Sequence, residues 1–126
     1  MAYIIACLMA AFSFLANKAL LRYIGPQVIS SWGPIIEEGA KTLLAWYLNA
    51  DILVTHIVFG VLEGAYDWLT GGRYRTQAAL MSVACHMVFG AITVTGLRVA
   101  GSIWIAVGGA VIAHAIWNQA VMRLQR

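Results

Sequence analysis

Residues 76–96 read TQAALMSVACHMVFGAITVTG, a run of 21 residues that contains no Asp, Glu, Lys or Arg. An α-helix needs about 20 consecutive, mostly apolar residues to cross the hydrocarbon core of a bilayer. The run therefore predicts a transmembrane helix. Its one histidine, His86, falls at the centre of the run, where a polar group is costly and therefore of functional interest.

Four further apolar segments surround this run. The chain has 126 residues, of which 62% are hydrophobic and 10% charged, and a soluble domain of this length cannot bury so much apolar surface. We predict an all-α fold, a polytopic membrane helix bundle of about five transmembrane helices. It is expected to form a single transmembrane domain, residues 1–126. The predicted helices lie near residues 2–22, 27–49, 51–70, 76–96 and 101–123.

The second of these helices is expected to begin irregularly. Pro34 has no backbone N–H, and a proline disfavours helical geometry at the residue before it, here Gly33. Regular helix is therefore expected from near Pro34 onwards, which places Glu37 at the start of a well-formed helix.

The basic residues predict how the bundle sits in the membrane. Arg98 falls at a turn on one side, and six basic residues fall on the other: Lys18, Arg22, Arg73, Arg75, Arg123 and Arg126. Because cytoplasmic loops carry the excess of Lys and Arg, the N-terminus is expected outside and the C-terminus inside. No basic stripe or nucleic-acid motif appears, so no nucleic-acid partner is expected.

Titratable side chains also occur inside the apolar segments, where each charge costs roughly 3 kcal/mol. Depth was counted from the inner end of each segment at about 1.5 Å of rise per residue. Four residues on four different helices then lie about 11 to 15 Å deep: Glu37, Glu63, His86 and His114. We expect them to meet inside the bundle. Lys41 follows Glu37 by four residues, a spacing that favours an ion pair between the two.

Two carboxylates and two imidazoles in a water-poor cavity can activate a water molecule. A Glu can take the proton of the water as general base, and a His or an Asn can stabilise the oxyanion. Glu and His residues can also hold Zn²⁺, whose bound water is then the nucleophile. The chain lacks the HExxH pattern of many zinc proteases, and the residues alone leave both mechanisms open.

Four motifs in this order resemble those of PrsW-type membrane proteases, in the superfamily of the CAAX prenyl proteases and bacteriocin-processing proteins. PIIEEGAK, residues 34–41, resembles the EExxK first motif, and FGVLEG, with Phe59 and Glu63, resembles the FxxxE second motif. His86 matches the lone histidine of the next helix, and HAIWN, residues 114–118, resembles the final HxxxN motif. The resemblance covers residues 33–118.

The resemblance implies an enzyme, an intramembrane endopeptidase that cleaves a membrane-anchored protein or peptide within the lipid bilayer. The resemblance implies five catalytic residues: Glu37, Glu38, Glu63, His86 and His114. It implies three supporting residues: Lys41, Phe59 and Asn118. Glu37 and Glu38 would activate water, and Asn118 would orient His114 or bind an oxyanion. Zinc held by Glu63, His86 and His114 is left open, as is a homo-oligomer. The expected location is a prokaryotic cytoplasmic (inner) membrane.

Other interpretations of the same residues stay open. The charges of the second helix also suit a buried structural ion pair, and lone histidines in bundles are often satisfied by a neighbouring carbonyl. His56 lies outside the motifs and is interpreted as a structural histidine, and Asp67 as solvated or paired with Arg73 or Arg75. At the level of the whole chain, the alternatives are a catalytically silent membrane scaffold and a haem or proton-relay protein that uses His86 and His114.

Overall fold

The computed structural model describes residues 1–124. They form five α-helices in this order: α1 (Ala2–Tyr23), α2 (Trp32–Tyr47), α3 (Ile52–Thr70), α4 (Arg75–Ala100) and α5 (Ile103–Leu124). The expected all-α class is therefore confirmed. Arg126, which entered the orientation argument, lies outside the described residues.

Four of the five helices are long and apolar enough to cross a membrane: α1, α3, α4 and α5. Many of their large apolar side chains point away from the protein, as a lipid-facing surface requires; Leu15 is 65% exposed and Ile105 is 62% exposed. Helix α2 differs, because it has 16 residues and carries three charges. The coarse expectation of an integral membrane helix bundle is thus confirmed.

The start of α2 is irregular, as predicted. Gly25 has a φ of 94° and turns the chain after α1, a conformation that favours glycine. A short 3-10 helix, Pro26–Ser30, follows before α2 begins at Trp32. Pro34 falls in the first turn of α2, where its missing N–H breaks no helical hydrogen bond.

Helix α2 occupies the middle of the bundle. It packs against α1, α3 and α5, and the 3-10 helix also rests on α1, α2 and α5. Seven of its residues are buried, among them Glu37, Glu38 and Lys41. The position of α2 explains how charges from one helix reach polar groups on all of its neighbours.

Glycines set the close approach of α3 to α4. A Cβ on Gly60 would lie 2.8 Å from the Cβ of His86, and a Cβ on Gly90 would lie 2.8 Å from the Cβ of His56. At Gly64 an added Cβ would lie 2.7 Å from the Ala79 carbonyl oxygen. The Gly60–Gly64 pair therefore serves packing within the chain, since small residues let helix backbones approach closely.

Candidate active site

The buried face of α2 is the centre of the polar cluster. Glu38 and Lys41 have no exposed surface, and Glu37 is 7% exposed. Consecutive residues on a helix point about 100° apart, so Glu37 and Glu38 face different neighbours. Both are buried because α2 is covered on several sides.

Glu38 is held by two basic side chains. The Lys41 ammonium donates to Glu38 Oε1 over 2.6 Å, and His114 Nδ1 lies 2.8 Å from the same oxygen. The predicted Glu37–Lys41 ion pair is wrong, since Lys41 binds Glu38 instead. The reason is which side chains of α2 share a face. Glu38, three residues before Lys41, turns with it towards α4 and α5, whereas Glu37 turns towards α1.

The hydrogen bonds determine the tautomers of two histidines. Lys41 Nζ, which can only donate, lies 3.0 Å from His86 Nδ1, so Nδ1 accepts and the ring proton sits on Nε2. His86 Nε2 then donates to Glu63 Oε2 over 2.6 Å. His114 Nδ1 donates to Glu38, which leaves the lone pair of His114 on Nε2.

Glu37 has a different environment. Its Oε1 accepts a hydrogen bond of 2.6 Å from Asn17 Nδ2 on α1. Its Oε2 is buried, has no hydrogen-bond partner among the described residues, and lies 3.9 Å from His114 Nε2. Both atoms are acceptors, and one water molecule can donate to both from about 2.8 Å each.

Glu63 connects the cluster to the rim of the bundle. Its Oε2 accepts from His86 and lies 3.3 Å from the hydroxyl of Ser82, which donates to Asp67 Oδ2 over 2.9 Å. The expected ion pair of Asp67 with an arginine is not found among residues 1–124; the carboxylate accepts from α4 and stays partly exposed. The Glu63 side chain is 37% exposed, so it is the most accessible acid of the cluster.

Two cavities reach this cluster, and Glu63 and Asp67 line both of them. The first, here called the α1–α3 cavity, has a volume of about 330 Å³ and is lined by residues that include Ser13, Asn17, Glu37 and Glu63. The second, the α4–α5 cavity, has a volume of about 860 Å³. Glu63, His86 and His114 line it. Glu63 can therefore be reached from either cavity.

The structure brings together the four residues of the predicted layer. Ligand atoms of Glu37, Glu63 and His86 lie within 4.8 Å of one another, and the rings of His86 and His114 lie 5.5 Å apart. Depth counting along separate helices therefore found a real cluster. The catalytic role of these residues stays a prediction.

The supporting residues have mixed positions. The ring of Phe59 lies 4.3 Å from Lys41 Nζ and 5.0 Å from the ring of His86, so it packs at the cluster. Asn118 donates to the Ile29 carbonyl over 2.7 Å. It thereby holds the 3-10 helix to α5.

The sequence does not predict several members of the cluster, among them His56, which is interpreted above as a structural histidine. His56 is fully buried, with Nδ1 3.5 Å from Glu38 Oε2 and Nε2 2.9 Å from Thr42 Oγ1. Thr42 follows Glu38 by four residues, a helical spacing that points to one face. Phe89 stacks on His114 at a centroid distance of 4.7 Å. Asn17 had no signal beyond a polar residue near the end of an apolar helix.

The donor set does not fit a divalent metal while Lys41 is charged. Two groups of ligand atoms come within 4.8 Å of one another in residues 1–124: Glu38, His56 and His86, and Glu37, Glu63 and His86. In the first group, the Lys41 ammonium already lies against Glu38 and His86. In the second, a metal on His86 Nε2 would move the ring proton to Nδ1, where it would face the Lys41 donor. His114, left open above as a zinc ligand, belongs to neither group.

Comparisons of the chain with protein-family models, with curated proteins and with solved structures find no match. The resemblance to PrsW-type proteases therefore rests on the four motifs.

Proposed function

We propose that the chain is an intramembrane endopeptidase that cleaves a membrane-anchored protein or peptide with a water molecule activated by Glu37. One observation carries the proposal: Glu37 Oε2, which is buried and has no hydrogen-bond partner in the described part of the chain, lies 3.9 Å from the lone-pair nitrogen of His114. Two bases at this separation can hold and deprotonate one water molecule. Glu37 lines the α1–α3 cavity, from which a substrate would approach it.

The proposed reaction needs only groups of the chain and water. Glu37 takes one proton from the water, and the water oxygen forms a bond to the carbonyl carbon of the substrate. The Lys41 ammonium offsets the negative charge that develops on the carbonyl oxygen. The protonated Glu37 then gives its proton to the amide nitrogen as the C–N bond breaks, which regenerates the carboxylate.

Glu38 acts through its neighbours in this proposal. It accepts from Lys41 and from His114 Nδ1, and therefore keeps the His114 lone pair on the nitrogen that faces Glu37. Glu63 accepts from His86 Nε2 and so keeps the lone pair of that ring on Nδ1, which faces Lys41. Orientation of an imidazole by a carboxylate is a recurring device in hydrolases.

The proposal includes the arrangement in the membrane. Helix α2, together with the 3-10 helix, would form the fifth crossing, and the N-terminus would lie outside a prokaryotic inner membrane. Connections of only a few residues between α2 and α3, α3 and α4, and α4 and α5 support antiparallel neighbours. The basic residues at the ends of α1 and α5 and around the α3–α4 turn then share the inner side.

The test is cleavage by purified protein. Wild-type chain in lipid nanodiscs is incubated with a library of single-span peptides, and the products are identified by mass spectrometry. We expect defined cleavage within or next to the span, lost in Glu37→Gln and in His114→Ala. Asp51→Asn is the matched control, because it changes a carboxylate to an amide at the α3 N-cap, where Asn caps equally well. Stable capture of a partner without cleavage would replace the protease with the scaffold.

A second candidate function, a proton relay, is favoured by a specific observation. Polar groups follow one another without a break from the rim to the core, with successive nitrogen or oxygen atoms 3.3 Å or less apart. The chain of groups is Asp67, Ser82, Glu63, His86, Lys41, Glu38 and His114. In vesicles loaded with a pH-sensitive dye, a relay would collapse a pH gradient, and Ser82→Ala would slow that collapse. A protease without such conductance would leave the gradient intact.

A further inference from the structure

We propose that Ser13 and Asn17 of α1 form a subsite that binds the peptide backbone of the substrate's membrane segment in an extended conformation. The subsite lies in the α1–α3 cavity, beside Glu37. It deepens the proposed function and rests on it, because it supplies the element that would hold a substrate against the activated water.

Polar atoms without partners among the described residues occur around the α1–α3 cavity. Three buried side-chain atoms without a hydrogen-bond partner among the described residues belong to residues that line this one cavity: Ser13 Oγ, Asn17 Oδ1 and Glu37 Oε2. Ser13 is only 2% exposed. Buried polar groups are normally satisfied, and those left without a partner are costly in an apolar environment, so their concentration in one cavity indicates a polar ligand.

The donor and acceptor types of Ser13 and Asn17 match those of a peptide backbone. The Ser13 hydroxyl can donate to a carbonyl, and Asn17 Oδ1 can accept from an N–H, so the pair complements a peptide backbone. Four residues separate them along α1, about 6 Å of rise. Backbone groups on the same edge of an extended chain repeat after two residues, about 6.8 Å. One extended segment alongside α1 can therefore reach both side chains.

The size and lining of the α1–α3 cavity suit an extended segment better than a helix. About 330 Å³ falls at the small end of the roughly 300–1,000 Å³ typical of ligand sites. A whole helix, roughly 10 Å wide, does not fit, whereas a few extended residues do. Phe14 and Tyr66 meet edge to face at the cavity with ring centroids 5.0 Å apart. Both rings are nearly half exposed, so they mark its lipid-facing side.

The experiment uses cysteine cross-linking, which does not require cleavage. In a Cys7→Ala, Cys85→Ala background, Ser13→Cys and Ala10→Cys place a thiol at the cavity, and Leu15→Cys places one on the lipid-facing side of α1. The probe is a synthetic span of about 22 Leu and Ala residues with Gly-Cys-Gly at its centre, in phosphatidylethanolamine–phosphatidylglycerol vesicles. Rates are corrected for the reactivity of each thiol towards N-ethylmaleimide.

We expect disulfide formation at Ser13→Cys and Ala10→Cys at least tenfold faster than at Leu15→Cys. The same peptide with Ser in place of Cys should compete. Equal rates at the cavity and lipid positions would overturn the proposal. Ala10→Cys keeps it falsifiable if Ser13→Cys does not fold.

A second readout separates this inference from the proposed function. On any single-span peptide that the wild type cleaves, Ser13→Ala should raise KM about tenfold with little change in kcat. Ser31→Ala should change neither, because Ser31 is exposed and bonds the Gln27 carbonyl. Cavity cross-linking with a wild type that cleaves no peptide would reject the protease and keep the subsite. Cleavage with an unchanged KM in Ser13→Ala would reject the subsite and keep the protease.

Discussion

Glu37 and Glu38 are adjacent in sequence and both buried, yet their surroundings are opposite. Glu38 accepts hydrogen bonds from Lys41 and His114, has His56 beside its second oxygen, and lines neither cavity. Glu37 accepts one hydrogen bond, from Asn17, has a second oxygen without a partner among residues 1–124, and lines the α1–α3 cavity. A step of about 100° around the helix therefore separates a carboxylate that holds the structure from one that is available for chemistry.

The different surroundings of Glu37 and Glu38 show how a membrane protein can keep a reactive carboxylate. The buried cation, Lys41, pairs with Glu38. Because Lys41 is taken up in that pair, Glu37 is not held by it and can exchange protons. Removal of the Glu37 carboxylate should therefore affect mainly catalysis, and removal of the Glu38 carboxylate should affect mainly the structure.

The largest effect is expected from Glu37→Gln. We expect cleavage to fall by at least about 10³-fold, since a general base contributes about 10²–10⁴-fold and the water loses its position as well. The melting temperature should change little, because glutamine can still accept from Asn17. The measurement is kcat/KM beside thermal unfolding in detergent. Full activity in Glu37→Gln, with activity lost in a well-folded Glu38→Gln, would reverse the assignment of the two acids.

The next effect is on stability. Lys41→Met leaves the buried Glu38 charge without its cation and should lower the free energy of unfolding by about 3–5 kcal/mol. The double variant Lys41→Met, Glu38→Gln should recover part of that loss, which a double-mutant cycle measures. A single variant as stable as the wild type would show that Lys41 does not balance Glu38.

A smaller loss of stability is expected from Gly60→Ala. The new methyl group would meet the His86 Cβ at 2.8 Å and backbone atoms of α4, and overpacking of this kind costs about 1–3 kcal/mol. Gly108→Ala is the matched control, since a Cβ there meets no atom within 4 Å and alanine favours helix. Equal effects of the two changes would contradict the close α3–α4 approach.

A modest effect on catalysis is expected from Asn17→Ala. It removes the hydrogen bond that orients Glu37, and a bond to a charged group contributes about 1.5–3 kcal/mol, so kcat/KM should fall about tenfold or more. Lys18→Ala, a change at the exposed neighbouring residue, should leave it unchanged. If both variants behaved alike, the contact between α1 and Glu37 would have no catalytic role.

The smallest effect is expected from metal removal. Because Lys41 occupies the cation position between Glu38 and His86, dialysis against EDTA should change kcat/KM by less than about twofold, the reaction needing only general base catalysis. Activity lost on dialysis and restored by Zn²⁺ would show that the lysine yields to a metal.

Much of the fold could be predicted from the sequence, and so could the level of the acids and histidines. Apolar length and the position of Pro34 give the helices and the irregular start of α2. The partner of Lys41 could not be predicted, because i, i+3 and i, i+4 spacings both allow an ion pair. Asn17 and His56 depend on which helices become neighbours, and no local pattern in one sequence encodes that.

Helix α2 has a consequence for how the chain reaches its final state. Within residues 1–124 it is the one α-helix that is not long and apolar enough to cross a membrane by itself. An isolated helix with three charges partitions poorly into lipid, so α2 depends on partners that hydrogen-bond the buried Glu38–Lys41 ion pair. Those partners, His86 and His114, are synthesised after it. Stable insertion of α2 must therefore wait for the later helices, which makes biogenesis of this protein cooperative.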